Sequence, residues 1–186
     1  MKKLILIVFV AFLFFWVVRI NVIEIRKNDR MPQTVNASKS RNITYFCDFS
    51  METFEGATFS ATDLKNVGIT VFNAWGPYCT SCLDEMPVLE EISREYQNRG
   101  LQIVGIQSDA WEFPEDMELA RREAAAAGIT YPLLIADSDY NSQVRPMLSN
   151  ALPGTWIVNA DGKILDFVQG SKTKEAWIRY FEMFLN

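Results

Sequence analysis

The chain has 186 residues, a formal net charge of −5, three cysteines and no histidine. Both signs of charge are mixed along it, with no basic stripe to neutralise phosphates, so a nucleic-acid partner is excluded. A zinc site would need thiolates and carboxylates from scattered positions, and three cysteines cannot build a disulfide scaffold, so neither a metal nor a stapled mini-fold is expected.

The chain opens with Lys2 and Lys3, then fifteen apolar residues from Leu4 to Val18, then Arg19, Ile20, Val22 and Ile23. At helical rise the uninterrupted run covers about 22 Å, short of a hydrocarbon core of about 30 Å. Continuing to Ile23 supplies the missing length if Arg19 snorkels to the headgroups. No small-residue cleavage site follows, and no cysteine ends the run to receive a lipid. Residues 1–25 therefore read as a retained membrane anchor. Arg19, Arg26, Lys27 and Arg30 oppose Lys2 and Lys3 in the charge rule, but the short tail and signal-like layout favour a domain outside the cytoplasm, a single-pass protein of the cell membrane. Residues 26–42, polar and carrying Pro32, read as a linker, which leaves residues 43–186 as one domain large enough to bury a core.

Beyond the linker, apolar runs alternate with amphipathic ones, the pattern of an α/β fold. Ile69 to Ala74 reads as a strand buried on both faces. Cys79 to Asn98 has helical spacing and meets Gly100 at its end. Leu101–Ile106 is a second strand, Glu115–Ala127 a second helix closed by Gly128, and Tyr131–Ala136 a third strand. Asn141–Ser149 is a short helix, Thr155–Asn159 and Lys163–Gln169 form a hairpin about Asp161 and Gly162, and Thr173–Leu185 is a last helix.

Cys79, Thr80, Ser81 and Cys82 stand where the buried strand gives way to the helix. A sulfur there faces unsatisfied backbone N–H groups and the positive end of the helix dipole, both of which favour thiolate. Cys79 is the expected nucleophile. Cys82, one turn on and more covered, is placed to resolve a mixed disulfide. Half of a zinc knuckle would need a second pair of ligands that the sequence lacks. At 100° per residue Cys82, Glu85, Met86, Leu89, Ile92 and Tyr96 share one helix face, so Glu85 falls inside an apolar stripe. A buried carboxylate there has its pKa raised toward that of a useful proton acceptor, and Glu85 is expected to take and return the proton of Cys82; a surface glutamate snorkelling from the stripe is the alternative. Pro87 is expected to kink the helix.

With the segments NAWGPYCTSC, EMP and LPGTWIVNADGKI, the chain resembles the ResA/TlpA-like branch of membrane-anchored thioredoxin-like proteins from about Cys47 onward. The resemblance implies a thioredoxin fold, a central mixed sheet with flanking helices, with the family's insertion and an N-terminal strand extension, preceded by one transmembrane helix. Asn73 stands where a thioredoxin carries a buried aspartate, and Glu85 matches the acidic residue this branch carries after its second cysteine. Leu152 and Pro153 match the cis-proline loop that packs beside the sulfurs, and with Trp75 and Tyr78 they are expected to meet the substrate. Tyr78, Gly154 and the Thr80-Ser81 pair depart from the usual residues. No charge or imidazole lies between the cysteines, which favours a reductant over a strong oxidant.

The implied activity is a thiol-disulfide oxidoreductase needing no cofactor beyond its own disulfide. Its expected partners are a disulfide-bearing protein, of cytochrome c maturation or repair-enzyme type, and a membrane electron transporter of the CcdA/DsbD kind. Thiol peroxidase, disulfide-forming oxidase and a non-catalytic binding module are the alternatives on the same fold. Cys47 reads as a small buried strand residue or as an extra redox thiol.

Overall fold

A computed structural model describes Phe46, residues 49–149 and residues 151–185. The anchor at 1–25, the linker at 26–42 and Cys47 lie outside the described residues, among which no helix is long and apolar enough to cross a membrane.

Two short strands, β1 (Ser50–Glu52) and β2 (Thr58–Ser60), pair antiparallel as a hairpin of their own. After it come β3 (Ile69–Trp75), α1 (Thr80–Tyr96), β4 (Leu101–Gln107), α2 (Met117–Ala126) and β5 (Leu133–Ile135). Then β6 (Gly154–Asn159), β7 (Ile164–Gln169) and α3 (Lys174–Phe181) complete the domain. The main sheet has the order β5-β4-β3-β6-β7, parallel from β3 to β5 and antiparallel from β3 through β7. The mixed sheet expected of a thioredoxin fold is present; α2 and β5 lie between β4 and β6, and the hairpin of β1 and β2 forms a separate two-stranded sheet before β3.

Every residue of β3 is buried, because the strand lies mid-sheet with both faces covered. Strand alternation sends Ile69, Val71 and Trp75 to one core with Met86, Leu89 and Ile92 of α1 and with Trp177 and Phe181 of α3. Phe72 and Ala74 point to the opposite core, filled by Phe46, Met51, Phe59, Tyr140, Val144 and Leu148. Gly100 ends the helical segment at φ +82°, in the left-handed region where a side chain is strained, and so turns the chain directly into β4.

The differences from the sequence reading have local causes. The third strand is three residues rather than six, because Pro132 has no N–H to give a ladder. The short helix is a π turn at Tyr140–Val144 followed by a 3-10 turn at Arg145–Met147, since Pro146 removes the donor an α-helix needs. The α1 helix runs without a break through Pro87, whose missing N–H leaves the Leu83 carbonyl without its helical donor.

Phe72 is fully buried, stacked on Phe46 at 4.6 Å and edge-on to Phe49 and Phe59. Phe72→Ala is expected to cost about 3–5 kcal/mol of stability through the cavity it leaves. Urea denaturation of the oxidised protein measures it, and a loss below about 1 kcal/mol would show that this aromatic cluster does not anchor the sheet.

Candidate active site

The chain leaves β3 at Trp75 and turns so that the Cys79 N–H donates to the Gly76 carbonyl at 3.1 Å. Cys79 then caps α1, its Sγ accepting the Cys82 N–H at 3.2 Å and lying 3.4 Å from the Ser81 hydroxyl. That N–H is one of the donors a helix start leaves unsatisfied. Cys79 and Cys82 form a disulfide with Cα atoms 5.2 Å apart. Cys79 is partly exposed while Cys82 is buried, an asymmetry that suits attack by the first and resolution by the second.

The Leu152–Pro153 peptide is cis. Its loop is held by the Pro153 carbonyl, which accepts from the Gly170 N–H at 2.8 Å and from Gln169 Nε2 at 2.7 Å. A Cβ at Gly76 would lie 3.3 Å from Leu152 Cδ1 and 2.5 Å from Asp109 Oδ2. Gly76 is therefore where the cysteine loop, the cis-proline loop and the loop after β4 come together, and a larger residue would displace the Asp109 carboxylate and press on the Leu152 methyl. Asp109 is half-buried there, and burial raises its pKa against the pull of Arg145.

Glu85 lies on α1 one turn after Cys82 and is only 3% exposed. Its Oε1 accepts from Trp177 Nε1 at 2.7 Å and from the Lys172 N–H at 2.8 Å, and its Oε2 accepts from Asn73 Nδ2 at 3.3 Å. Burial pushes the carboxyl above its ordinary range, and the donors from Lys172, Trp177 and Asn73 pull back toward the charged form. Asn73 also donates to Thr155 Oγ1, its neighbour across the β3–β6 register, and its Oδ1 has no partner among the described residues. By turning over, that amide can accept from a protonated Glu85 as readily as it donates to the carboxylate.

Of the residues singled out in the sequence, Cys79, Cys82, Glu85, Leu152 and Pro153 gather at one end of β3. Tyr78 stands beside them, 73% exposed, its hydroxyl donating to Asp116 at 3.0 Å. Trp75 is a correction: as the last inward position of β3 its indole is fully buried and cannot offer a surface to a substrate. Trp177 and Lys172 escaped the sequence reading, because nothing local marks a residue that meets Glu85 across some 90 positions, and so did Thr155, which meets Asn73 across the sheet. A second buried carboxylate, Glu90, was also missed. Burial opposes its charge, but donors from Thr130, Arg94 and Tyr131 hold it below the usual carboxylate range, and it ties α1 to the segment before β5.

The profile of the AhpC/TSA family matches residues 44–167. The thiol-disulfide oxidoreductase ResA of Geobacillus thermodenitrificans is 30% identical over 129 residues, 69% of either chain. The thioredoxin-like protein YneN of Bacillus subtilis is 30% identical over 128 residues, 69% of this chain and 71% of that one. Among solved structures, a thioredoxin-family thiol:disulfide interchange protein from Chlorobium tepidum TLS superposes with a TM-score of 0.67 at 22% identity, covering 80% of this chain and all of the other. Common fold, matching profile and a disulfide set in the helix cap agree: the chain belongs to the AhpC/TSA family and is a ResA-type thiol-disulfide oxidoreductase.

Proposed function

We propose that the domain acts as a reductant, tethered outside the cytoplasm by its N-terminal apolar segment. The observation that carries this reading is the surroundings of Cys79 Sγ, which meets one backbone N–H and one hydroxyl, both uncharged. A strong oxidant draws its force from a heavily stabilised thiolate, and these contacts provide only a modest one.

In the reduced protein the Cys79 thiolate attacks one sulfur of a substrate disulfide. A mixed disulfide forms and the other substrate sulfur leaves as thiolate. Cys82 then gives its proton to Glu85, and its thiolate attacks Cys79 Sγ. The Cys79–Cys82 disulfide forms, the second substrate sulfur departs, and Glu85 returns the proton to the released thiolate. Two electrons pass to the substrate, and a membrane thiol transporter of the CcdA/DsbD kind restores them. The substrates are disulfide-bearing proteins, of the cytochrome c maturation or repair-enzyme type.

A redox titration of the full-length chain in detergent, with thiol trapping read by mass, tests the direction. The expected result is one two-electron transition confined to Cys79 and Cys82, near or below about −230 mV. A value near about −120 mV would make the protein a disulfide-forming oxidase instead.

Glu85 must be ionised to accept a proton, so turnover should rise with pH through its raised pKa. Glu85→Gln is expected to slow disulfide reduction about 10²-fold and to remove that rise, while alkylation of Cys79 in the reduced protein is little changed. An unaltered pH profile would assign Glu85 a structural role only.

Trp177 Nε1 donates to the charged form of Glu85, and losing that bond raises the pKa further. Trp177→Phe should therefore move the midpoint of the pH–rate profile upward and lower the rate at neutral pH. Stopped-flow reduction of a model disulfide across pH measures the midpoint, and a downward move would contradict the assigned bond.

A further inference from the structure

Five large apolar side chains are exposed among the described residues, and three of them, Tyr78, Trp111 and Phe113, lie on the cysteine loop or the loop after β4. Trp111 is 56% and Phe113 47% exposed. Their loop is joined to the site at two points, through the Ser108 N–H on the Trp75 carbonyl at 2.9 Å and through Asp116 on the Tyr78 hydroxyl. It is also braced from within, since the Asp109 carbonyl accepts from the Glu112 and Phe113 N–H groups at 3.0 and 2.8 Å. Arg145 holds it from outside by ion pairs to Asp109 and Glu112. Exposed aromatics on a braced loop are a ready contact surface, because little conformational freedom remains to be lost on binding.

The charge of this surface is one-sided. Asp109, Glu112, Glu115 and Asp116 all lie on the loop, and Arg145 pairs with the first two. The next cation along the chain, Arg121, is turned to the Phe54 carbonyl and ring. Among the described residues Glu115 and Asp116 pair with no cation, and Asp116 accepts from the Tyr78 hydroxyl.

We propose that Tyr78, Trp111 and Phe113 form a docking lip for an extended, basic stretch of the substrate polypeptide flanking its disulfide. The proposal rests on the reductase reading above and names the substrate class of that same site. A substrate sulfur in line with Cys79 Sγ carries its flanking residues over Tyr78 and so onto the loop that Asp116 holds against it. Aromatic faces attract lysine and arginine heads as well as apolar stems, and Glu115 and Asp116 attract the same charges at longer range.

The test uses the reduced full-length chain in detergent and three disulfides. Two are synthetic peptides closed by one internal disulfide, flanked by lysine and arginine in one and by glutamate in the other, and the third is 2-hydroxyethyl disulfide. The basic peptide is expected to react about tenfold faster than the acidic one, with the difference shrinking as salt is raised. The double variant Trp111→Ser, Phe113→Ser should lower the ratio of basic-peptide rate to small-disulfide rate about tenfold, and Glu115→Gln should narrow the gap between the peptides. The small disulfide keeps each variant's own redox centre as its reference. Equal rates on the two peptides, or an unchanged ratio in the double variant, would overturn the lip. A wild-type dimer that the double variant dissolves in sedimentation would overturn it too, by giving the surface to a second copy. No exchange with any of the three disulfides would remove the reductase reading and the lip with it.

Discussion

A carboxylate placed inside an apolar core is the constraint around which this domain is arranged. Glu85 can sit beneath the cysteines only because Asn73 from β3, the Lys172 backbone and the Trp177 indole converge on it. These groups come from three parts of the chain, so the site exists only when sheet, α1 and α3 are docked together. An unmatched carboxylate at that depth would cost several kcal/mol, which ties the fold to this one buried group.

Geometry at the surface follows from the same sheet. Because β3 is central and ends at Trp75, just before Gly76, its carboxyl end is bordered by the loop after β4 on one side and the cis-proline loop before β6 on the other. The two neighbours reach the cysteine loop without any long excursion of chain. Packing of this kind explains why one small residue, Gly76, is shared by three loops, and why the sulfur of Cys79 emerges at their junction.

Most of the architecture was legible because the informative segments are strongly patterned. The apolar run at Ile69, the amphipathic stripe of α1 and the glycine at 100 each report a local physical preference, and the structure honours all three. The stripe also disclosed Glu85, since a charge on an apolar face is visible without knowing what surrounds it. Its partners were not legible. Trp177 reads as an ordinary core aromatic and Lys172 contributes only its backbone, so neither carries a signal of its role. Trp75 was misassigned because the resemblance marks a segment, NAWGPYC, and not which way each of its side chains points, whereas strand alternation turns the indole inward. The hairpin of β1 and β2 left little trace because strands of three residues are too short for an alternating pattern to register.

That hairpin has an effect on how the sheet meets other molecules. Thr53 bridges Leu134 and the Phe54 N–H reaches the Leu133 carbonyl at 2.8 Å, so the outer strand β5 has part of its hydrogen-bonding edge already occupied from within the chain. An open strand edge is a template for recruiting any extended polypeptide, including unfolded ones. A thiol-disulfide oxidoreductase, which binds other polypeptides through a transient mixed disulfide, would be especially vulnerable to such recruitment. The partial cap at β5 shortens the edge open to such pairing, and so helps to separate chemical capture at the sulfur from indiscriminate growth of the sheet.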